Sequence, residues 1–175
     1  EQVFSLIGRK EIPPVVSPAI RADDVESMKN KLPLNGRPIV AINVNVSDTF
    51  LERRWMPERF AQVVTHLSRD HNWLFFFIGL ENDRDYVQQV IDLTACQKHC
   101  YNIAGVLTVP ELAAFLKRCE MLISADSGPA HLAASLDVHL IGLYGPESPY
   151  FYGPVNGNAT TVYRGVACSP CMNVY

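Results

Sequence analysis

The sequence predicts one α/β domain, a doubly wound parallel β-sheet with helices on both faces. Short apolar runs of strand length alternate with amphipathic stretches of helix length from residue 38 onwards. This order produces right-handed strand-helix-strand units and therefore a parallel sheet of five or six strands. The length of 175 residues suits one domain, and an apolar content of 48% is enough for a core.

The N-terminal residues predict a linker followed by the domain. Residues 1–22 are expected to form a linker or a strap across a surface, because "EIPPVVSP" carries three prolines in eight residues. Residues 23–175 are expected to form the domain. Its first helix is predicted in "DDVESMKNKL", with Asp23 or Asp24 as the N-cap.

The remaining elements follow from the spacing of apolar residues and from the caps. Pro57 is allowed in the first turn of a helix, and Thr108 is a suitable N-cap. A loop rich in Pro and Gly is expected at 145–158. The predicted strands are 38–46, 72–79, 100–105, 120–125 and 138–145, with a last one at 159–165, and the predicted helices are 57–70, 82–95, 108–119 and 128–136.

Composition excludes several classes of protein. A net charge of −3 and a pI near 5.9 argue against a nucleic-acid partner, since there is no basic excess to neutralise phosphates. No apolar run approaches the roughly 20 residues that a membrane helix needs. No secretory signal is visible, and a start at Glu1 instead of Met indicates a processed chain or a piece of a longer one.

The cysteines predict a reducing compartment. Five is an odd number, which argues against a disulfide framework and favours the cytoplasm. Cys168 and Cys171 have C-x-x-C spacing, but a zinc site would need a second pair, and Cys96 and Cys100 are spaced differently. A thioredoxin-like redox site would need the C-x-x-C motif to lie at the start of a helix. Two thiols in a surface segment is the preferred interpretation, and no metal site is expected.

The turn after the first strand carries groups that suit a diphosphate. Ser47 and Thr49 supply hydroxyl donors, and Arg53 and Arg54 supply guanidinium groups that bind phosphate oxygens in a bidentate manner. The structural alternative is a solvated loop with an ion-paired arginine. Trp55 is expected to be a packing anchor under this loop.

The turn after the second strand carries a carboxylate. In nucleotide-binding sheets, an acid at a strand end accepts hydrogen bonds from ribose hydroxyls. Glu81 or Asp83 is placed for that role after Gly79. The alternative is an N-cap of the next helix, which suits Asn82 or Asp83.

The turn after the fourth strand, "ADSGPAH", has the strongest pattern of an anion site. Gly128 has no Cβ, so the backbone can approach a ligand, and Pro129 fits the first turn of a helix. The amides at a helix N-terminus attract anions. His131 is in the first turn and can donate to a phosphate oxygen. Capping roles for Asp126 and His131 are the structural alternative.

Motifs for other ligands are absent from the sequence. There is no G-x-G-x-x-G after the first strand, no Walker A motif and no G-x-S-x-G elbow around Ser127. We therefore expect no NAD or FAD cofactor and no serine nucleophile.

Four segments resemble a known family. They are "RRWMPERFAQVV", "FFFIGLENDR", the block at 111–154 and the closing "CSPC". Together they resemble the C-terminal half of the family 9 glycosyltransferases, which comprise the ADP-heptose:lipopolysaccharide heptosyltransferases and their relatives. The resemblance spans about residues 37–171, and the block at 111–154 is its most specific part. It implies the GT-B architecture of two Rossmann-like domains, in which this chain is the donor-binding C-terminal domain and the N-terminal acceptor domain is absent.

The resemblance also implies roles for individual residues. Arg53 matches the basic position that offsets phosphate charge and is the expected catalytic group. "NVNVSDTF" replaces the usual glycine-serine turn, and Val138-His139 replaces Gly-x-Pro, so both segments depart from the family pattern. The positions expected to bind the nucleotide-sugar are Ser47, Arg53, Glu81 (or Asp83), Leu107, Asp126, Ser127, Gly128 and His131.

The implied reaction is an inverting, metal-independent transfer of a heptose-like sugar from a nucleotide-sugar such as ADP-heptose to a lipid-linked saccharide. The general base of the family is an aspartate of the N-terminal domain, so this chain alone is expected to bind the donor without turnover. The expected location is the cytoplasm, with at most peripheral contact with the inner membrane face. The alternatives are a non-catalytic nucleotide-binding module and another GT-B enzyme, such as a sugar-nucleotide epimerase.

Overall fold

A six-stranded parallel sheet forms the centre of the computed structural model, which describes residues 17–154 and 158–171. The strand order is β3-β2-β1-β4-β5-β6, and every neighbouring pair is parallel. The predicted linker at 1–22 lies mostly outside the described residues. The strands are β1 Ile39–Asn43, β2 Leu74–Ile78, β3 Cys100–Asn102, β4 Met121–Ala125, β5 Leu140–Tyr144 and β6 Ala159–Tyr163.

Helices connect the strands and cover the sheet. Short 3-10 segments lie at Asp48–Arg53, Glu81–Asp83 and Gln97–His99. The predicted 145–158 loop also contains one helical turn, α6. The helices are α1 Ala22–Lys31, α2 Pro57–Asp70, α3 Arg84–Asp92, α4 Val109–Leu116, α5 Gly128–Ser135 and α6 Pro149–Tyr152.

The central strands are buried on both faces. Every residue of β1 and of β2 is buried, and alternate side chains enter different cores because side chains alternate along a strand. Ala41 and Phe76 pack in the core that contains α4 and α5, whereas Ile42 and Phe77 pack in the core that contains α2 and α3. Two helical layers on one sheet confirm the predicted fold class.

Helix caps were predicted with mixed success. Thr108 caps α4 as predicted, and its side chain accepts from the amide of Glu111 in a capping box. The prediction for α1 was wrong, because its N-cap is Arg21, which makes no side-chain cap hydrogen bond. Asp23 and Asp24 lie in the first turn instead, where their charges complement the helix dipole.

Several predicted elements are longer than the observed ones. The pairing of β1 ends at Asn43, opposite Ile78 and Ser124, although residues 44–46 remain buried. The strand was therefore predicted too long, because the apolar pattern continues past the last residue that pairs with a neighbouring strand. The third strand ends at Asn102 and not at 105, and the helix predicted at 82–95 begins as a 3-10 turn and ends at Asp92.

The chain reverses its direction of winding between β1 and β4, which are adjacent in the sheet. Strands β2 and β3 extend on one side of β1, and β4, β5 and β6 extend on the other. The loops after β1 and β4 therefore separate at the carboxyl edge and leave a crevice, which is where open α/β sheets bind ligands.

Candidate functional site

A cavity of about 920 Å³ opens at this edge of the sheet. Its walls come mainly from the turns after β1, β2, β3 and β4 and from the first turns of α4 and α5. It is large enough for a nucleotide. The residues predicted for the site that line it are Ser47, Thr49, Arg53, Asp83, Leu107, Asp126, Ser127, Gly128 and His131.

Arg53 and Asp126 form a buried ion pair at one end of the cavity. Arg53 Nη1 lies 3.2 Å from Asp126 Oδ2, and the side chains are 16% and 5% exposed. The Arg53 guanidinium also lies over the Phe50 ring, 4.7 Å from its centroid. Arg53 therefore has the ion pair that the alternative of a structural loop predicted. It also lines the cavity. A fixed guanidinium at this place can bind an anion.

His131 lies on the solvent side of Asp126. Its Nε2 is 3.7 Å from Asp126 Oδ1, and its side chain is 53% exposed. The interaction with the Asp126 carboxylate raises the pKa of His131, while partial burial acts in the opposite direction. His131 therefore carries a proton over a wider pH range than a free histidine and adds positive charge to the Arg53 end of the cavity.

The Ser127-Gly128-Pro129 turn has the open backbone that the sequence predicted. Ser127 is the N-cap of α5, and Pro129 lies in its first turn. A Cβ added at Gly128 would meet no atom within 4 Å, so the space above this backbone is free for a ligand. The Ser127 hydroxyl does not cap the helix; it donates to the Ala125 carbonyl at 3.0 Å.

Asn43 connects the ends of β1 and β4 beneath this turn. The side chain is buried, and its Nδ2 lies 2.9 Å from Ser127 Oγ and 3.1 Å from Ser124 Oγ. Asn43 was not among the residues predicted for the site. A polar residue that ends an otherwise apolar strand at the predicted ligand edge was the available signal.

The two neighbouring arginines have different surroundings. Arg54 donates to the Asn45 side-chain carbonyl, and its guanidinium lies 4.2 Å from the centroid of the Tyr86 ring. Asn45 in turn donates to the Asp83 carboxylate. Arg54 therefore supports the cavity wall through Asn45, and Arg53 is the arginine of the pair that lines the cavity.

The carboxylate of the second turn that lines the cavity is Asp83, whereas Glu81 is exposed and lies outside the lining among the described residues. The nucleoside contact of Glu81 (or Asp83) stays a prediction, and of these two acids Asp83 is the one that lines the cavity. Asp83 Oδ2 accepts from the Leu80 amide at 2.7 Å, so Asp83 also closes the 3-10 turn. It is the residue that precedes α3, but its side chain does not cap that helix.

The other end of the cavity is apolar. Leu107 lines it together with Ile78, Ile103, Val109 and Leu112. Ser47 and Thr49 are exposed residues of the cavity lining, and the Ser47 hydroxyl accepts from the Thr49 amide at 3.3 Å. A molecule with an apolar part and an anionic group matches this distribution.

Residues 9–174 match the model of glycosyltransferase family 9 (heptosyltransferase). The chain belongs to glycosyltransferase family 9. This confirms the resemblance inferred from the four sequence segments.

Individual members of family 9 are similar to the chain over part of their length. It is 29% identical to lipooligosaccharide heptosyltransferase 2 of Campylobacter jejuni over 140 residues, which are 79% of this chain and 43% of that protein. It superposes on a family 9 glycosyl transferase of Veillonella parvula with a TM-score of 0.79 and 27% identity, over 93% of this chain and 47% of the other.

The ADP-heptose lps heptosyltransferase II of Escherichia coli has the same fold. The TM-score is 0.76 at 22% identity, over 86% of this chain and 47% of that one. The chain thus spans less than half the length of these family 9 proteins.

The described residues offer neither a cluster of metal ligands nor a membrane-spanning helix. Residues 17–154 and 158–171 contain no group of three or more His, Cys, Asp or Glu side chains arranged to hold a metal ion. Cys168 and Cys171 are free and exposed, as the surface-segment interpretation predicted. No helix in the same part of the chain has the length and apolarity needed to cross a membrane.

Proposed function

We propose that this chain is the donor-binding half of an inverting, metal-independent glycosyltransferase that transfers a heptose-like sugar from a nucleotide-sugar to a lipopolysaccharide-type acceptor. The observation that carries the proposal is the polarity of the cavity. Arg53 and His131 place two cationic groups around the Asp126 carboxylate at one end, and Leu107 lies in the apolar wall of the other.

The diphosphate of the donor binds at the positive end. Arg53 and the N-terminal amides of α5 meet its oxygens, and His131 donates a further hydrogen bond. Ser47 and Thr49 contact the same group from the turn after β1. Glycosyl transfer leaves additional negative charge on the departing nucleoside diphosphate. Fixed positive groups stabilise that charge as it develops, and this is the role that a metal ion has in other transferases.

The nucleoside binds at the other end. Its base packs against Leu107 and the neighbouring aliphatic side chains, and its ribose hydroxyls donate to the Asp83 carboxylate. Asp83 is preferred to Glu81 because Asp83 lines the cavity. The Escherichia coli relative is an ADP-heptose lps heptosyltransferase, which supports adenine as the base and heptose as the sugar.

The general base and the acceptor site lie in an N-terminal domain of the same enzyme. The chain spans 43% of the length of the Campylobacter jejuni relative, which leaves room for such a domain. The acceptor is a lipid-linked saccharide, so the enzyme works in the cytoplasm, in peripheral contact with the inner membrane face. The isolated chain binds the donor and transfers nothing; sugar transfer by this chain alone would contradict this division of roles.

Calorimetric titration of ADP, UDP and GDP into the chain tests the proposal. We expect ADP to bind, and we expect the double variant Asp126→Ala, His131→Ala to lose that binding. The matched control is His66→Ala, because His66 also faces an aspartate, Asp70, at 3.8 Å but lies on the surface of α2.

The outcomes of this titration distinguish the donor-binding role from its alternatives. Absence of binding by all three nucleotides would overturn the donor-binding role. Binding of ADP by the chain without any transfer by a longer protein that contains it would favour the non-catalytic module. Preference for UDP or GDP would change the donor while the site remained.

A further inference from the structure

Tyr152 lines the cavity, and the proposed binding of the nucleoside and the diphosphate gives it no role. It is the one Phe, Tyr or Trp among the described residues of the cavity lining. The residue is 42% exposed, so a large part of its surface is free to contact a ligand. Tyr152 also brings the turn after β5 into the cavity wall, because the other lining residues end or follow β1, β2, β3 and β4.

The helical turn that carries Tyr152, α6, is held by hydrogen bonds at both of its ends. Ser148, which precedes α6, is buried. The Ser148 hydroxyl accepts from the Tyr150 amide at 3.3 Å, and the Ser148 carbonyl accepts from the Tyr152 amide at 3.1 Å. At the other end, the Gly153 amide donates to the Pro149 carbonyl at 2.9 Å. The backbone of Tyr152 is therefore fixed beside the cavity.

The walls of the cavity come from successive strands of the sheet. The order of these strands is β3, β2, β1, β4 and β5. Leu107 follows β3, Asp83 follows β2, and Arg53 follows β1. Gly128 begins α5 after β4, and Tyr152 follows β5. Neighbouring strands lie about 4.8 Å apart, so the distance from β3 to β5 is roughly 19 Å.

The units of a nucleotide-sugar are joined in a matching order, which is base, ribose, diphosphate and sugar. The proposed function places the base against Leu107, the ribose at Asp83, and the diphosphate between Arg53 and the N-terminus of α5. The unit that follows the diphosphate is the sugar, and the strand that follows β4 in the sheet is β5. A donor that lies across the sheet in this direction therefore brings its sugar to the turn that carries Tyr152.

We propose that Tyr152 is a specificity-determining residue that binds the sugar of the donor through the face of its ring. This inference rests on the proposed function. A sugar ring exposes C–H groups on its faces, and these groups pack against the electron-rich face of an aromatic ring. The contact involves no charge, unlike the contacts of Arg53 and His131 with the diphosphate. Tyr152 thus strengthens binding of the nucleotide-sugar and adds little to binding of the nucleoside diphosphate alone.

Calorimetry with two ligands that differ only in the sugar tests this role. ADP and ADP-heptose are titrated separately into the wild type and into Tyr152→Ala. We expect Tyr152→Ala to weaken ADP-heptose binding about fivefold, because one aromatic contact is lost, and to leave the affinity for ADP unchanged. Tyr152→Phe keeps the ring and is expected to bind both ligands as the wild type does.

The same turn supplies a matched control. Tyr150 lies two residues before Tyr152, is 88% exposed and is outside the described cavity lining. Tyr150→Ala is expected to bind ADP and ADP-heptose as the wild type does. Thermal unfolding of each variant establishes that it is folded before the affinities are compared.

The outcomes separate this inference from the proposed function. Equal losses of ADP and ADP-heptose affinity in Tyr152→Ala, or no loss for either ligand, would overturn the sugar contact while the donor site remained. Equal losses of ADP-heptose affinity in Tyr152→Phe and in Tyr152→Ala would overturn the contact through the ring face. Absence of ADP binding by the wild type would overturn the proposed function and this inference with it.

Fluorine-19 NMR of the chain labelled with 3-fluorotyrosine repeats the test with the ring in place. The resonance of Tyr152 is identified as the one that disappears in Tyr152→Phe. We expect ADP-heptose to shift this resonance further than ADP does, and we expect the resonance of Tyr150 to respond equally to the two ligands. Identical shifts of the Tyr152 resonance with ADP and with ADP-heptose would contradict the proposal.

Discussion

Asn45 donates to the carboxylate of Asp83, and this contact joins the turn after β1 to the turn after β2 across the cavity wall. Asn45 also accepts from Arg54. The side chain is buried at 6% exposure, so few other groups can replace its two partners. The position of the Asp83 carboxylate, and with it the ribose contact that we propose, depends on this amide side chain from the turn after β1 as well as on the Leu80 amide.

Replacement of Asn45 by Ala is expected to weaken ADP binding about tenfold and to lower the free energy of unfolding by about 2 kcal/mol, because it removes a hydrogen bond to each of two charged groups. Calorimetry with ADP and chemical denaturation measure the two effects. Asn72→Ala, at an exposed position before β2, is the control. Unchanged ADP affinity in a folded Asn45→Ala variant would contradict the contact between Asp83 and the nucleotide.

Replacement of Arg53 by Lys is expected to weaken ADP binding about tenfold, because lysine offers a point charge where the guanidinium offers a planar fork. Arg53→Ala is expected to cost more binding and also stability, since it leaves Asp126 buried without its partner. Titration with ADP, together with thermal unfolding, separates the two effects. The exposed Arg59 supplies the control variant Arg59→Ala. Equal ADP affinity of wild type and Arg53→Lys would show that no bidentate contact is made.

Glu111 is expected to make stability depend on acid pH. Its pKa falls from 4.5 to about 2, first because of Lys31, 2.8 Å away, and then because of Ser27, 2.5 Å away. A lowered folded-state pKa stabilises the protein fully above the unfolded pKa, and this stabilisation is lost as the pH falls from about 4.5 towards 2.

Unfolding of Glu111→Gln tests this dependence. We expect the variant to lose about 2 kcal/mol of stability at pH 7, because its hydrogen bonds lose the charge, and to differ less from wild type at pH 2.5. Glu26→Gln, on the exposed side of α1, is the control. A constant difference between Glu111→Gln and wild type from pH 7 to pH 2.5 would contradict the role of the ionised form.

Replacement of Gly105 by Ala is expected to destabilise the turn after β3 more than Gly36→Ala destabilises the turn before β1. Both glycines have positive φ, +76° and +81°, and share the backbone cost of about 1–2 kcal/mol. A Cβ at Gly105 would also lie 2.8 Å from Glu81 Cα, whereas one at Gly36 would meet nothing within 4 Å. Equal losses of unfolding free energy in the two variants would show that the Glu81 segment moves aside without cost.

Local sequence patterns predicted the features that depend on residues close together along the chain. The parallel sheet follows from alternating strand and helix lengths, and the cap at Thr108 follows from a Thr placed three residues before a Glu. The anion-binding turn at Asp126–Gly128 was visible because strand, glycine and proline are consecutive. The residues of this turn line the cavity, which agrees with that pattern.

The sequence does not distinguish well among neighbouring residues of similar chemistry. Asp23 and Asp24 are good caps, but the helix begins one residue before them. Glu81 and Asp83 are both acids, and the 3-10 turn leaves Asp83 in the cavity wall. Arg53 and Arg54 are adjacent, and only the contacts with Asp126 and with Asn45 distinguish them.

By itself, the sequence determined the fold class, the family and the edge of the sheet that carries the cavity, because apolar periodicity and turn chemistry act between residues that are close along the chain. The tertiary structure decided which side chains meet there. Asn45 and Asp83 are 38 residues apart, and Arg53 and Asp126 are 73 apart. The burial of Glu147 was equally invisible in the sequence, because it depends on how the turn after β5 packs in the folded chain.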